Sequence, residues 1–536
     1  MVHVAPESFV TALTNMLSAD ENLATNADLS LRAQLDLSWI GRALRDGEYN
    51  HPPENLAPTL SRCLDDPEER EALVEELVRL AIVAGPKVAP RALMALAEVL
   101  PATTVAPPVA FLSCLGGRRV HGVVQCEEAA MACIARCVAT ASVDGETKVA
   151  APPPGAWVTA RAPARVDLAG GWTDTPPICY DVGGCVVNLA VTVDGRKPIG
   201  ARARRTPDAH VITLGTRLRA PREGDKPASG TLVLTSVNEL ECDDPTEPGA
   251  LAKAVLRTLG AVSADARAPR LADQLEAAGG GIQLETWSEL PHGSGLGTSS
   301  ILAAAAVAAV AKVLGRSLDA SGLAHAVLQV EQRLTTGGGW QDQIGGIVGG
   351  AKLCTCAPQL PLRVSCEPLQ LSDSLLTKLS AHLQLVFTGQ VRLARNLLRD
   401  VLRRWLLGRP ASVANIAALV DTAHSMAQAL SAGDVPAVGQ HLAAYWEQKK
   451  KMCDAEPERV AQMLDALFRK GVIHGGALAG AGGGGFLLVV TVRPHARAEV
   501  EEALSGGEPP LAEIVEVDVD REGLTLSVEG RPQVRL

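Results

Sequence analysis

The chain has 536 residues, a formal net charge of −10 and 47% apolar residues. That length suits roughly three or four domains with sizeable cores, and the acidic balance, with no basic tail or run, excludes a general binder of nucleic acid or of anionic membranes. The twelve cysteines form no CxxC pair and show no His/Cys metal spacing, with Cys354 and Cys356 nearest in sequence, so reduced and mostly buried thiols of a cytosolic protein are expected.

Met1 to Val10 lack the basic and apolar regions of a signal peptide. Amphipathic helices are predicted over 28–46, with Leu31, Leu35, Ile40 and Leu44 inside, and over 66–84, with Leu73, Leu77, Leu80 and Ala81 inside. Further helical pieces fall near 90–100 and 124–140, which makes residues 1–150 an all-helical region. A Pro-rich break at 151–155 marks a boundary. Strand runs and glycine turns follow to about residue 355, then a helix-rich portion over about 372–470, and a strand over 486–492. Separate strand and helix runs predict an α+β fold. The apolar run 301–314 is too short to span a bilayer and contains Lys312, so a soluble, cytoplasmic protein is expected.

Residues 291–300, PHGSGLGTSS, carry the strongest chemical signal. They join an alternating segment (Ile282, Leu284 and Thr286 against Gln283, Glu285 and Trp287) to an Ala/Val run, which predicts strand, glycine loop, helix. Glycines let the backbone approach a ligand, and free N–H groups at a helix start attract phosphate. A tight turn capped by Thr298 or Ser299 is the alternative reading.

Three other clusters accompany the loop. In residues 162–174, Arg165 leaves a strand ahead of Gly170-Gly171, and Asp174 follows nine residues later; an Asx-capped β-turn is the alternative. On a helix predicted over 321–334, Glu331 interrupts an apolar face. An unpaired charge there is costly, so it calls for Mg²⁺ or a salt bridge. Gly337, Gly338 and Gly339 then bring the backbone close to something and present Asp342 beside it. Finally, a glycine cluster at 475–485 runs straight into an apolar strand, as a tight turn packed under another loop would.

Taken together, these four clusters resemble the motifs of the GHMP kinases, in order and spacing, over about residues 157–525. The family resemblance implies an ATP-binding domain over 151–355 and a C-terminal domain over 356–536, with the helical residues 1–150 as an added region. The wording of GGWTDTPP from Gly170, TTGGGWQDQ from Thr335, TGQVRLARNLL from Thr388 and YWEQKK from Tyr445 is closest to the L-fucose kinases, and next to heptose 7-phosphate kinases.

That resemblance implies transfer of the ATP γ-phosphate to the anomeric hydroxyl of L-fucose, a step toward GDP-fucose. It assigns Pro291, Gly293, Ser294, Gly295, Leu296, Gly297, Thr298, Ser299 and Ser300 to the phosphate loop. Mg²⁺ falls to Ser299 and Glu331, the acceptor side to Asp342 with Arg165, and the sugar hydroxyls to Asp174. Trp172 and Trp340 are candidates for stacking on the sugar, with core packing as the alternative. Arg392, Arg395 and Lys449 are candidate polar contacts, against solvated helix faces. Galactokinases carry Glu-His where Gly171-Trp172 stand here, which argues against galactose. The partners implied are a small sugar and ATP, not nucleic acid or membrane. Nothing in the sequence sets the oligomeric state. A heptose 7-phosphate kinase and a catalytically silent sugar/ATP sensor are the competing readings.

Overall fold

Where the sequence alternates, one sheet face is buried and the other is wet; where it is continuously apolar, the strand is enclosed on both sides. The computed structural model describes residues 145–536 apart from 219–227, 242–244, 264–268, 335–336, 391–393, 507–512 and residues 292, 360, 532 and 536. Of the earlier residues it describes 90, 94, 130, 131, 134, 135, 138 and 143, and all but residue 143 are helical. The helices expected over 28–46 and 66–84 lie outside the described residues. The chain divides into two units, residues 1–140 with 400–414, and residues 141–399 with 415–536. All the strands below belong to the second.

In chain order the strands are β1 (Glu146–Lys148), β2 (Val158–Ala162), β3 (Ala164–Ala169), β4 (Gly184–Val193), β5 (Ile199–Thr206), β6 (Ile212–Leu218), β7 (Ala228–Leu234), β8 (Gly281–Ser288) and β9 (Arg316–Leu318). They continue as β10 (Ala351–Cys356), β11 (Val364–Pro368), β12 (Leu383–Phe387), β13 (Ile473–Leu478), β14 (Phe486–Thr491), β15 (Glu513–Val515), β16 (Val517–Val519), β17 (Thr525–Val528) and β18 (Val534–Arg535). Five helices bear on the site: α1 (Thr298–Val313), α2 (Ala320–Arg333), α3 (Gln341–Ile347), α4 (Val435–Met452) and α5 (Glu458–Arg469).

A seven-stranded sheet runs β18-β17-β2-β5-β8-β6-β7, with β6 and β8 its only parallel neighbours. The alternation read from β8 holds: Ile282, Leu284 and Thr286 are buried, while Gln283, Glu285 and Trp287 face outward. On that outer face Arg202 pairs with Glu285, and Arg202 and Arg204 lie over the Trp157 ring at 4.2 and 4.4 Å. The inner face packs on α1, an Ala/Val helix buried nearly all round, as a helix without a polar side must be.

A five-stranded sheet runs β11-β10-β4-β16, with β3 also paired to β4, and α3 lies on it. A four-stranded sheet, β13-β14-β12-β15, carries α4 and α5. Separate sheets and helical runs make the fold α+β, as expected. The last strands return to the start of this unit: β16 pairs with β4 and β17 with β2. Among the described residues, no helix is long and apolar enough to cross a membrane.

The expectation of reduced thiols throughout is corrected at one pair. Cys354 on β10 stands directly opposite Cys366 on β11, with Cα atoms 4.2 Å apart, and the two are disulfide-bonded. Facing positions on antiparallel strands bring the Cβ atoms within bonding reach, which the twelve-residue separation does not reveal. Cys179, Cys185, Cys356 and Cys453 are buried and lie outside this disulfide.

Candidate active site

The glycine loop enters α1 as expected. Gly293, Gly295 and Gly297 all take positive φ, at 71°, 77° and 74°, which side-chain-bearing residues avoid. The cap is Gly297, with no side-chain hydrogen bond to the first turn, so Thr298 and Ser299 do not cap it. Ser294 instead reaches Thr298, Oγ to Oγ1 at 3.0 Å, and accepts from the Leu296 N–H at 3.3 Å. The first-turn N–H groups are thus not spent on a side-chain cap, the arrangement that suits a phosphate.

The loop is held from two sides. The Arg165 main-chain N–H donates to Leu296 O at 3.3 Å, and its Nη1 donates to Gly295 O at 2.7 Å. From the other side, Phe486 N–H donates to Ser294 O at 2.9 Å. A Cβ at Gly295 would strike the carbonyl of Ala479, and one at Gly485 that of Ser294. The second glycine cluster is therefore the turn packed under the loop that its sequence suggested.

Arg165 also reaches the Asp342 carboxylate. Its Nε and Nη2 donate to Asp342 Oδ1 at 3.0 and 2.6 Å. Burial would lower the Arg165 guanidinium, but Asp342 and Asp167 outweigh it and raise it, so the charge is secure. Asp174 is 1% exposed and accepts from the Trp172 and Gln341 N–H groups at 3.1 and 3.2 Å. Burial, followed by repulsion from Asp342, raises its carboxyl to about 7. The triple glycine is explained by crowding: a Cβ on Gly338 would meet Glu331, and one on Gly339 would meet Asp174.

Glu331 is buried on α2, and burial, with repulsion from Asp342 and Asp174, raises it to about 8. The hydroxyl that faces it is that of Ser300, which donates to Glu331 Oε1. Ser299, to which the resemblance assigned Mg²⁺ together with Glu331, is its neighbour in the chain. Successive helix residues turn by about 100°, and the first turn of α1 leaves Ser299 exposed while Ser300 points inward. Among the described residues, no three His, Cys, Asp or Glu side chains converge as a metal cage. A carboxylate with a hydroxyl beside two further carboxylates still fits Mg²⁺, which takes few protein ligands and completes its shell from phosphate and water.

Sequence reasoning missed the group that binds these pieces together. Asp167, two residues after Arg165 on β3, is wholly buried. It accepts from Tyr445 Oη at 2.7 Å, Lys449 Nζ at 3.2 Å, the Gly480 N–H at 2.7 Å and Arg165 Nη1 at 3.4 Å. Burial would raise the Asp167 carboxyl, but Lys449 and Arg165 hold it below its usual range. Lys449, 1% exposed, also donates to the carbonyls of Leu478 and Gly480. The reading of Lys449 as a solvated helix face is thereby overturned: its helix face packs on β13. A buried-type Asp inside a β-strand was the one available signal. The side chains of Arg392 and Arg395 lie outside the described residues.

Trp172 and Trp340 are 6% and 1% exposed, so both indoles are packed into the wall. Trp172 sits at φ 78°, a strained conformation for a bulky residue, and that places its N–H on Asp174.

The glycine loop, the carboxylates and the helix start without a side-chain cap thus gather in one place. Residues 256–350 match the GHMP kinase N-terminal domain and residues 426–507 the GHMP kinase C-terminal domain. The chain therefore carries both domains of the GHMP kinases. It is 33% identical over 353 residues to the bifunctional fucokinase/GDP-fucose pyrophosphorylase of Arabidopsis thaliana, covering 64% of this chain and 30% of that protein. It is also 33% identical over 381 residues to the L-fucokinase/L-fucose-1-P guanylyltransferase of Bacteroides fragilis, covering 69% of this chain and 38% of that one. A D-glycero-alpha-D-manno-heptose 7-phosphate kinase of Campylobacter jejuni is 29% identical over 208 residues, 39% of this chain and 60% of that protein. The chain thus spans about a third of the length of the two fucokinase relatives.

Proposed function

We propose that this chain is an ATP-dependent sugar 1-kinase whose acceptor is L-fucose, forming β-L-fucose 1-phosphate on the way to GDP-fucose. The observation that carries the reading is the double role of Arg165. One guanidinium holds the Asp342 carboxylate and the Gly295 carbonyl of the phosphate loop, tying acceptor side to donor side. The choice of fucose draws on the two relatives whose names carry that activity and on the GGWTDTPP wording.

In the proposed reaction the anomeric oxygen attacks the γ-phosphorus, the bond to the β-phosphate oxygen breaks, and the sugar proton passes to Asp342. Such chemistry asks mainly for position and charge neutralisation. The loop N–H groups and the start of α1 hold the phosphates. Asp342 orients or deprotonates the hydroxyl, an effect typically of about 10²- to 10⁴-fold. Asp174 receives sugar hydroxyls; Trp172 acts by fixing that carboxylate rather than by offering a ring face, and Trp340 is packed into the wall. Glu331 and Ser300 would hold Mg²⁺, which supplies charge neutralisation at the phosphates when bound.

A heptose 7-phosphate kinase is the second reading, favoured by the stretch shared with the Campylobacter protein. Its substrate phosphate calls for an additional cation. Arg165 and Lys449, the cations of the buried network, are both committed to carboxylates. Phosphorus NMR of the product decides the bond formed: an anomeric fucose phosphate is expected. A phosphate ester at another hydroxyl, or no product, would overturn the proposal.

A further inference from the structure

A row of polar side chains crosses the five-stranded sheet. Asp167 on β3 stands opposite Asn188 on β4, and Asn188 stands opposite Lys352 on β10. Residues opposed across antiparallel strands project to one face. The three are 2%, 0% and 0% exposed, in strands where nearly every residue is buried. Polar groups so placed are costly unless each finds a partner.

Asn188 and Lys352 each find a partner on α3. Asn188 Nδ2 donates to Gln341 O at 3.2 Å, at the start of α3. Lys352 Nζ donates to Gly345 O at 2.7 Å, near its end, and to Gly350 O at 3.2 Å. Asp342 lies between those two holding points, and Asp167 holds it from the third direction through Arg165. A seven-residue helix is marginal alone, and Gly345 and Gly346 weaken it further. Those glycines are required, because a Cβ at Gly345 would strike Arg165 and one at Gly346 would strike Ile301. The helix therefore takes its rigidity from the sheet. Burial, opposed by Asp520, pushes the Lys352 ammonium down to about 7. An amine that loses its charge still offers two N–H donors, one for each carbonyl, so what α3 draws from Lys352 is donors rather than charge.

We propose that Lys352, together with Asn188, is a positioning residue for phosphoryl transfer: the two fix α3 at both ends and so set Asp342 against Arg165 and the accepting hydroxyl. This rests on the kinase reading above. The test is Lys352→Met, with Asn188→Ala as the milder variant should Lys352→Met not fold, each alone and combined with Asp342→Asn. Expected is a fall in kcat per folded molecule of about 10- to 100-fold, the scale of a small misplacement at the reacting atoms. KM for ATP should stay within about twofold, and the loss should vanish when Asp342 is already Asn. Amide hydrogen exchange across 341–347 should quicken in either variant. An unchanged kcat, a loss that persists in full beside Asp342→Asn, or unchanged exchange over 341–347 would overturn the proposal. Were the wild-type chain to phosphorylate no sugar, the kinase reading alone would fail, and the exchange measurement would still decide whether Lys352 holds the helix.

Discussion

Arg165 sends two donors, Nε at 3.0 Å and Nη2 at 2.6 Å, to the same oxygen of Asp342. The pair is lopsided: the Arg165 side chain is 1% exposed and that of Asp342 31%. The cation is sealed beneath while the carboxylate faces outward, so Asp342 is anchored and accessible at once. Its second oxygen takes no hydrogen bond from that guanidinium.

Asp342→Asn keeps the shape of this pair but removes its charge and proton acceptor. It should lower kcat about 100-fold or more with the KM for ATP nearly unchanged. Steady-state kinetics on protein shown to be folded by circular dichroism checks this. Near-full turnover would remove Asp342 from the reaction.

The metal assignment separates two adjacent hydroxyls. Ser300→Ala and Glu331→Gln should each raise the Mg²⁺ concentration needed for half-maximal rate, since they alter a facing hydroxyl–carboxylate pair at the loop. Ser299→Ala, at an exposed position, should raise it less. A Mg²⁺ titration in which Ser299→Ala gave the larger shift would restore the pairing expected from the sequence.

How far the sequence was legible follows from how local each feature is. The loop and α1 could be read because glycines, hydroxyls and an Ala/Val run are contiguous, and β8 because its alternation is strict. The contact of Ser300 with Glu331 was not anticipated because it depends on helix phase, which one residue changes by about 100°. Asp167 was given no role, since its partners Tyr445 and Lys449 lie 278 and 282 residues away. The disulfide between Cys354 and Cys366 and the return of β16 and β17 to the opening strands are likewise facts of strand pairing, which no local pattern records.

Acidity offers a test that needs no sugar. Asp174 and Glu331 have ordinary values of 3.8 and 4.5 and folded values of about 7 and about 8. Between those limits the folded chain keeps protons that the unfolded chain has lost, so both groups make stability fall as pH rises from about 4 to 8. Without Mg²⁺, the thermal midpoint of the wild-type chain should drop over this range more steeply than that of Glu331→Gln. Added Mg²⁺ should recover part of the loss at pH 8 in the wild type alone. Parallel slopes for the two proteins would show that Glu331 is not held protonated by burial.

Lys449→Met would leave Asp167 buried beside one cation fewer, with Arg165 still on Asp342. Removing one partner of a buried pair costs about 3–5 kcal/mol. Urea unfolding should show a loss of that order, and Asp167→Asn added to it should restore part. A change within error would mean that Lys449 contributes nothing to the network its geometry describes.

The most direct measurement is ADP release with Mg²⁺ and ATP across L-fucose, galactose and heptose 7-phosphate, using the full chain. The account predicts turnover with L-fucose, little with galactose, and little with the sugar phosphate. Faster turnover of heptose 7-phosphate or galactose, or none with fucose, would contradict it.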